Sequence, residues 1–78
     1  MEFFPYCNGE LYCEGLPLTR IATTVGTPTY VYSAAALAHN FCRLARAFRG
    51  VPHTICYSVK ANSNLTVLRL LTRLGASF

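Results

Sequence analysis

The second half of the chain alternates helix-like segments with strand-like segments, and this alternation limits the choice of fold more than any other feature. After Ser33, a residue suited to an N-cap, four apolar side chains are spaced four, three and four residues apart, as on one face of an amphipathic helix. These four residues are Leu37, Phe41, Leu44 and Phe48. Residues 50–52 (GVP) end this predicted helix, and residues 54–60 (TICYSVK) have the composition of a strand.

A second predicted helix follows the polar turn at residues 61–64 (ANSN). It spans about residues 65–74, and its apolar stripe consists of Val67, Leu68, Leu71 and Leu74. Arg69 and Arg73 are predicted to point outward, Gly75 provides a C-cap, and residues 76–78 resemble the opening of another strand. The order helix, strand, helix, strand predicts an α/β fold with a parallel sheet.

The first third of the chain predicts a short β-rich lead-in. Apolar residues flank Asn8-Gly9, a dipeptide typical of hairpin turns. Residues 18–25 are predicted to form a short helix ending at Gly26, and residues 29–32 (TYVY) a strand, because Thr27-Pro28 imposes extended backbone.

With 78 residues the chain can form at most one small domain, and two parallel strands do not make a stable sheet of their own. Charged residues make up 13% of the sequence, about half the usual share for a soluble domain, and hydrophobic residues make up 53%. We therefore expect this sequence to be the front end of a longer α/β protein.

The seven basic residues all follow the last of the three acidic residues, Glu14. A basic stretch can meet nucleic acid or anionic lipid, but no dense Lys/Arg run occurs here. Five arginines fall at surface spacing on the predicted helices, namely Arg43, Arg46, Arg49, Arg69 and Arg73. We therefore expect solvated helix faces, with no nucleic-acid or membrane partner.

No secretory signal or membrane span is recognisable, and a cytoplasmic protein is the default expectation.

Four cysteines, Cys7, Cys13, Cys42 and Cys56, could in principle form two disulfides or a zinc site. Their spacing contains no C-x-x-C pair, so no metal ligand is predicted. Free thiols are the simpler expectation, with Cys42 and Cys56 as small buried hydrophobes.

Lys60 is the only lysine, and it stands at the end of the predicted strand. Strand alternation puts Cys56, Ser58 and Lys60 on one face, which in an α/β barrel would point inward, with Lys60 at the rim where active sites lie. A desolvated lysine there can form a Schiff base with an aldehyde such as pyridoxal phosphate. By position alone, a lysine that reaches from a strand end into solvent is the favoured interpretation. Residues 62–64 (NSN) could either bind an anion at the following helix N-terminus or simply cap that helix.

Two separated motifs carry a resemblance to a known family. Residues 57–62 (YSVKAN) resemble the Tyr-Ala-Val-Lys-Ala-Asn motif around the cofactor lysine of the alanine racemase-like, fold-type III pyridoxal-phosphate enzymes. Residues 26–33 (GTPTYVYS) are similar to the Gly-Thr-Pro-x-Tyr-Val-Tyr-Ser segment of the diaminopimelate decarboxylases within that family. The similarity extends over nearly the whole chain, as far as Leu74-Gly75-Ala76, and places it at the amino-terminal part of those enzymes. Ser58 and Ser77 depart from the usual alanine and glycine.

The resemblance implies a fold, a cofactor and a reaction. Residues 1–33 would supply lead-in strands to a β-domain, and residues 34–78 would begin a pyridoxal-phosphate-binding (β/α)8 barrel that is incomplete in this chain. Lys60 would be both the catalytic and the cofactor-binding residue, in a lyase that converts meso-diaminopimelate to L-lysine and CO2 in lysine biosynthesis. The full-length family implies a homodimer and a small amino-acid substrate.

Several groups that the family needs are absent from these 78 residues, so the chain alone is expected to be inactive and poorly folded. The missing groups are an acidic residue expected soon after Phe78, the histidine that stacks on the cofactor, the glycine-rich phosphate site, the glutamate facing the pyridine nitrogen, and the residues contributed across the dimer interface. Two alternatives stay open, namely another fold-type III decarboxylase or racemase, and a small non-catalytic protein that binds anions or a partner.

Overall fold

A computed structural model describes residues 2–78 and shows a small α/β structure. Three short strands form one antiparallel sheet in the order β1 (Tyr6–Cys7), β2 (Glu10–Cys13), β3 (Leu16–Pro17). Three helices follow, namely α1 (Leu18–Val25), α2 (Ala34–Ala47) and α3 (Leu65–Leu74), and a 3-10 turn at Val59–Ala61 lies between the last two. The chain divides into two compact units, one ending at Ala35 and the other beginning at Ala36.

The predicted hairpin is confirmed. Tyr6 pairs with Leu11 and Cys7 with Glu10, and both turn residues have positive φ, 53° for Asn8 and 78° for Gly9. Two positive φ values define the type I′ turn, whose twist matches that of the strands and which favours Asn-Gly. Strand β3 was not predicted; it pairs with β2 through Cys13 and Leu16, and its Pro17 lies on the edge strand, where a missing amide proton costs no sheet bond.

Helix α1 has the predicted limits, and the amide of Gly26 donates to the carbonyl of Ala22 at its end. The side chain of Thr19 donates to the carboxylate of Glu10, which ties the first turn of α1 to β2. The Thr27–Pro28 peptide bond that follows is cis.

The strand predicted at residues 29–32 is wrong. These residues lie outside every strand of the described chain, and Tyr30 is almost fully exposed. Their β-branched and aromatic composition favours extended backbone, but a strand also needs a neighbour with which to exchange hydrogen bonds. Composition alone could not supply that neighbour.

Helix α2 begins directly after Ser33, as predicted, and its first turn meets a carboxylate. Oε2 of Glu14 accepts hydrogen bonds from the hydroxyl of Ser33 (2.8 Å) and the amide of Ala35 (3.3 Å). A negative group at a helix N-terminus is favourable because free amides and the helix dipole are positive there. Leu37 and Phe41 of α2 are partly buried, whereas Leu44 and Phe48, the residue just after α2, are exposed, so half of the predicted apolar stripe is uncovered.

Helix α3 matches its predicted limits residue for residue, and the side chain of Asn64 caps it. Val67 and Leu71 are buried, Leu68 and Leu74 are partly buried, and Arg69 and Arg73 are exposed, as the stripe predicted. Burial of a side chain such as Val67 or Leu71 contributes about 1.5–3 kcal/mol to stability. Gly75 ends the helix in the left-handed conformation, with φ at 104°, where a side chain would be strained.

The predicted parallel pairing around α3 is present in its smallest form. Cys56 and Ser77 form an isolated parallel bridge. The amide of Tyr57 donates to the carbonyl of Ser77 (2.8 Å), and the amide of Ser77 donates to the carbonyl of Ile55 (2.9 Å). The two bridged segments and the helix α3 between them thus follow the β-α-β order. Parallel neighbours need such a crossover connection, which is usually a helix.

Candidate functional site around Lys60

Lys60 lies in the 3-10 turn Val59–Ala61, not at the end of a strand as predicted from the sequence. The strand-like backbone is paired only around Cys56, and the chain turns before it reaches the lysine. The amide of Ala61 donates to the carbonyl of Ser58 at 3.0 Å and closes the turn. The side chain of Lys60 is exposed, with a primary amine accessible to a ligand.

The side-chain alternation predicted for this segment holds only up to the turn. Ile55 and Tyr57 are partly buried, whereas Cys56 and Ser58 are exposed together with Lys60. Val59, expected on the covered face, is exposed because the 3-10 turn has already rotated the backbone. The small side chains of Cys56 and Ser58 therefore precede the lysine on the open side of the segment.

Tyr57 links the two sides of the lysine turn. Its hydroxyl donates to the carbonyl of Asn62 at 2.9 Å, so that one side-chain bond spans the residues on both sides of Lys60. The ring of Tyr57 also meets the ring of Phe78 edge-on, with centroids 6.2 Å apart and planes at 90°, an arrangement favoured by aromatic quadrupoles. The side chain of Tyr57 and the parallel bridge therefore both hold the segment before the lysine.

Asn62 and Asn64 connect the turn to α3. Oδ1 of Asn62 accepts from the amide of Asn64 at 2.9 Å. Oδ1 of Asn64 accepts from the amides of Thr66 (2.9 Å) and Val67 (3.4 Å). Of the two alternatives for residues 62–64, helix capping is the one observed, since a side-chain oxygen already takes two of the amides that an anion would use.

The cysteines differ from expectation in their burial. All four are free thiols, but Cys42 and Cys56 are exposed, and Cys13 is the buried one. Burial raises the pKa of the Cys13 thiol, and the neighbouring carboxylate of Glu14 raises it further. Cys42 and Cys56 are not covered within residues 2–78, which composition alone could not reveal. Among residues 2–78, no group of three or more His, Cys, Asp or Glu side chains is placed to hold a metal ion.

An open cleft of about 340 Å3 lies in the second unit, away from Lys60. Its walls include Phe41 of α2, Leu74 of α3, and Ile55 and Ser77 from the parallel bridge. Polar residues such as Ser77 share the wall with apolar residues of the two helices, and the cleft is an open gap between elements of this unit. No helix in the described part of the chain has the length and hydropathy needed to cross a bilayer.

Sequence reasoning identified Lys60 but missed the contacts that hold its turn. Strand alternation classed Tyr57 as a packing residue and gave no reason to expect its hydroxyl to bond a carbonyl five residues later. Likewise, the contact between Glu14 and Ser33 joins residues 19 positions apart. The contact between Tyr57 and Asn62 had one local signal, a tyrosine just before the lysine turn and an asparagine just after it. The contact between Glu14 and Ser33 had no local signal.

Comparison with characterised proteins confirms the resemblance carried by the two motifs. The chain is 53% identical over all of its 78 residues to diaminopimelate decarboxylase of Pseudomonas aeruginosa. It is 47% identical over its whole length to the enzyme of that name from Vibrio cholerae, and 43% identical over 95% of its length to that from Aquifex aeolicus. No family model matches the chain. The chain spans about a fifth of the length of the curated relatives it matches, 19% in the first two cases.

Proposed function

Because this chain belongs to the diaminopimelate decarboxylase family, we propose that it provides the cofactor-lysine segment of a decarboxylase acting on meso-diaminopimelate. The products would be L-lysine and CO2. The observation that carries this proposal is the identity of 53% over the entire chain, with Lys60 inside the matched region. A family relationship at this level applies to the segment, and the activity of the whole protein is inferred from it.

The residues around Lys60 fit pyridoxal phosphate. The fit rests on an exposed primary amine, placed on a turn that is hydrogen-bonded on both sides and preceded by the small exposed side chains of Cys56 and Ser58. An amine can bond covalently to the cofactor's aldehyde, and small neighbours leave space for its ring. When bound, the cofactor supplies an electron sink for the carbanion left by loss of CO2.

The role of this chain's own residues is then to hold and aim the amine. Lys60 Nζ would hold the cofactor. The turn Val59–Ala61 fixes the backbone from which the side chain extends, and the cap of α3 by Asn64 fixes the chain beyond it. Such fixed geometry lowers the entropic part of a reaction barrier.

The architecture proposed for the complete protein is a (β/α)8 barrel with a β-domain. The β-α-β order around the Cys56–Ser77 bridge supports the opening of a parallel barrel, and the antiparallel sheet β1-β2-β3 supports a separate lead-in to the β-domain. Residues 1–33 would belong to the β-domain and residues 34–78 to the barrel. We further propose a cytoplasmic homodimer with a small amino-acid substrate, on the basis of family membership.

The decisive test is substitution of Lys60 in the native protein that contains this chain. Reduction with borohydride in the presence of pyridoxal phosphate should leave the cofactor attached to the peptide containing Lys60, as seen by mass spectrometry. Lys60→Arg keeps the positive charge but cannot bond to the aldehyde in this way, so attachment should disappear and decarboxylation should fall by about a thousandfold or more.

Arg69→Lys provides a matched control, because Arg69 is an exposed cation on α3 and the substitution adds an amine outside the turn. It should leave both attachment at Lys60 and turnover unchanged. Attachment at another residue in the unsubstituted protein, or full turnover by Lys60→Arg, would contradict the proposal. Mass spectrometry of the endogenous product for peptides beyond Phe78 gives the extent of the native chain independently.

A further inference from the structure

The hydroxyl of Tyr57 makes a contact that packing does not require. The ring of Tyr57 is held by its edge-on contact with Phe78, and its backbone amide is held by the carbonyl of Ser77. A phenylalanine would make both contacts equally well. The hydroxyl adds one bond, to the carbonyl of Asn62, and that bond closes a loop that contains Lys60.

The same loop is coupled to α3 on its far side. Asn62 accepts the Tyr57 hydroxyl through its carbonyl and the Asn64 amide through its side chain. Asn64 in turn caps α3. A chain of hydrogen bonds therefore runs from the parallel bridge, past the lysine turn, to the N-terminus of the helix.

We propose that Tyr57 is a positioning residue for Lys60, whose hydroxyl holds the turn in the conformation that presents the amine for covalent attachment of an aldehyde cofactor. This inference rests on the proposed function. A lysine side chain has four rotatable bonds, so its amine already samples many positions from a fixed backbone. Freedom in the backbone multiplies those positions and lowers the fraction of time that the amine spends in a reactive geometry.

The test compares Tyr57→Phe with the unsubstituted native protein and with Tyr6→Phe. Tyr6 lies on β1 and is 75% exposed, so its substitution removes a phenol hydroxyl that is not part of the lysine turn. Cofactor-free protein is mixed with pyridoxal phosphate, samples are reduced with borohydride at intervals, and the modified Lys60 peptide is quantified by mass spectrometry. The measured quantity is the rate of attachment at Lys60, which does not depend on turnover.

We expect attachment to be about fivefold slower in Tyr57→Phe, the change equivalent to one ordinary hydrogen bond, and unchanged in Tyr6→Phe. Hydrogen exchange measured on the same samples should accelerate in the peptide covering residues 58–64 and stay unchanged in the interior of α3. Equal attachment rates in Tyr57→Phe and the unsubstituted protein would overturn the positioning role while leaving the proposed function intact.

Two other outcomes would also decide the matter. Faster exchange throughout α3 in Tyr57→Phe would show that the hydroxyl maintains global stability, and a specific positioning role would then be wrong. Failure of the unsubstituted protein to attach the cofactor at Lys60 would overturn the proposed function and, with it, the inference that rests on it.

Discussion

Glu14 shows how a single residue can join segments that the sequence separates. It adopts a positive φ of 56° in the tight connection between β2 and β3, and its amide donates to the carbonyl of Phe3 at 2.7 Å. The same residue directs its carboxylate to Ser33, whose side chain is only 3% exposed, and to the first turn of α2. The buried hydroxyl thus has a charged acceptor, which is the strong form of hydrogen bond.

Cys13, the neighbour of Glu14, should be the least reactive thiol of the first unit. Its pKa is raised by burial and by Glu14, so less of the reactive thiolate is present at a given pH than at an ordinary cysteine. We expect iodoacetamide labelling of Cys13 to accelerate about tenfold or more when the protein is unfolded in urea, because unfolding restores exposure and the ordinary pKa. Labelling of exposed Cys7 should change little, which provides the internal control.

The raised pKa of Cys13 also determines how the contribution of this thiol to the stability of the fold changes with pH. The folded state holds the Cys13 proton more tightly than the unfolded state does, so this contribution to stability is complete below the ordinary thiol value of 9.0 and is lost as pH rises through the folded value. Labelling of Cys13 in the folded protein that matched Cys7 at every pH would show that the thiol is neither covered nor perturbed.

At the scale of elements, the cap of α3 is the feature that fixes where the lysine turn ends. Asn64→Ala removes the oxygen that accepts from Thr66 and Val67, and we expect a loss of about 1 kcal/mol in the free energy of unfolding, measured by urea denaturation. Asn40→Ala is the matched control, because Asn40 is an exposed residue inside α2, where alanine is the better helix former. Equal stability of Asn64→Ala and the unsubstituted protein would mean that the cap contributes nothing.

The sequence could predict the elements that depend on local signals, but not those that depend on a distant partner. The limits of α1 and α3 follow from local signals: an apolar stripe, Asn64 before the helix, and Gly26 or Gly75 after it. The hairpin at Asn8-Gly9 was equally local. The strand predicted at residues 29–32 was wrong, and the one at residues 54–60 was reduced to a single bridge, because strands depend on partners distant in sequence.

In the candidate site, too, the features visible in the local sequence were predicted and the three-dimensional contacts were not. Lys60 stood out as the only lysine and through the YSVKAN motif, both visible without a structure. Its 3-10 turn and the bond between Tyr57 and Asn62 were not predictable, since strand composition continued through the lysine and no periodicity marks a side chain that returns to its own backbone.

At the scale of the whole molecule, the described chain has few buried residues for its apolar content. Its buried hydrophobic side chains are Cys13, Val67 and Leu71, whereas large residues such as Leu44, Phe48 and Phe78 remain at least 46% exposed. Uncovered apolar surface on this scale is typical of faces that another part of a protein covers.

The 78 residues expressed alone should therefore bind the dye ANS, unfold over a broad temperature range, and show no decarboxylation. These properties follow from exposed apolar faces and loosely fixed packing. Fluorescence of added ANS, thermal unfolding followed by circular dichroism, and a CO2-release assay would check them. Sharp cooperative unfolding without ANS binding would contradict the structural part, and measurable turnover would contradict the functional part.

The bridge between Cys56 and Ser77 also bears on when the lysine turn can form during synthesis. The contacts described above that hold the turn lie between Ile55 and Phe78, a short and continuous piece of the chain. Contacts so close in sequence form quickly once their residues are available, and a ribosome adds about 5–20 residues per second. The segment carrying Lys60 can therefore begin to order within seconds of emerging from the exit tunnel.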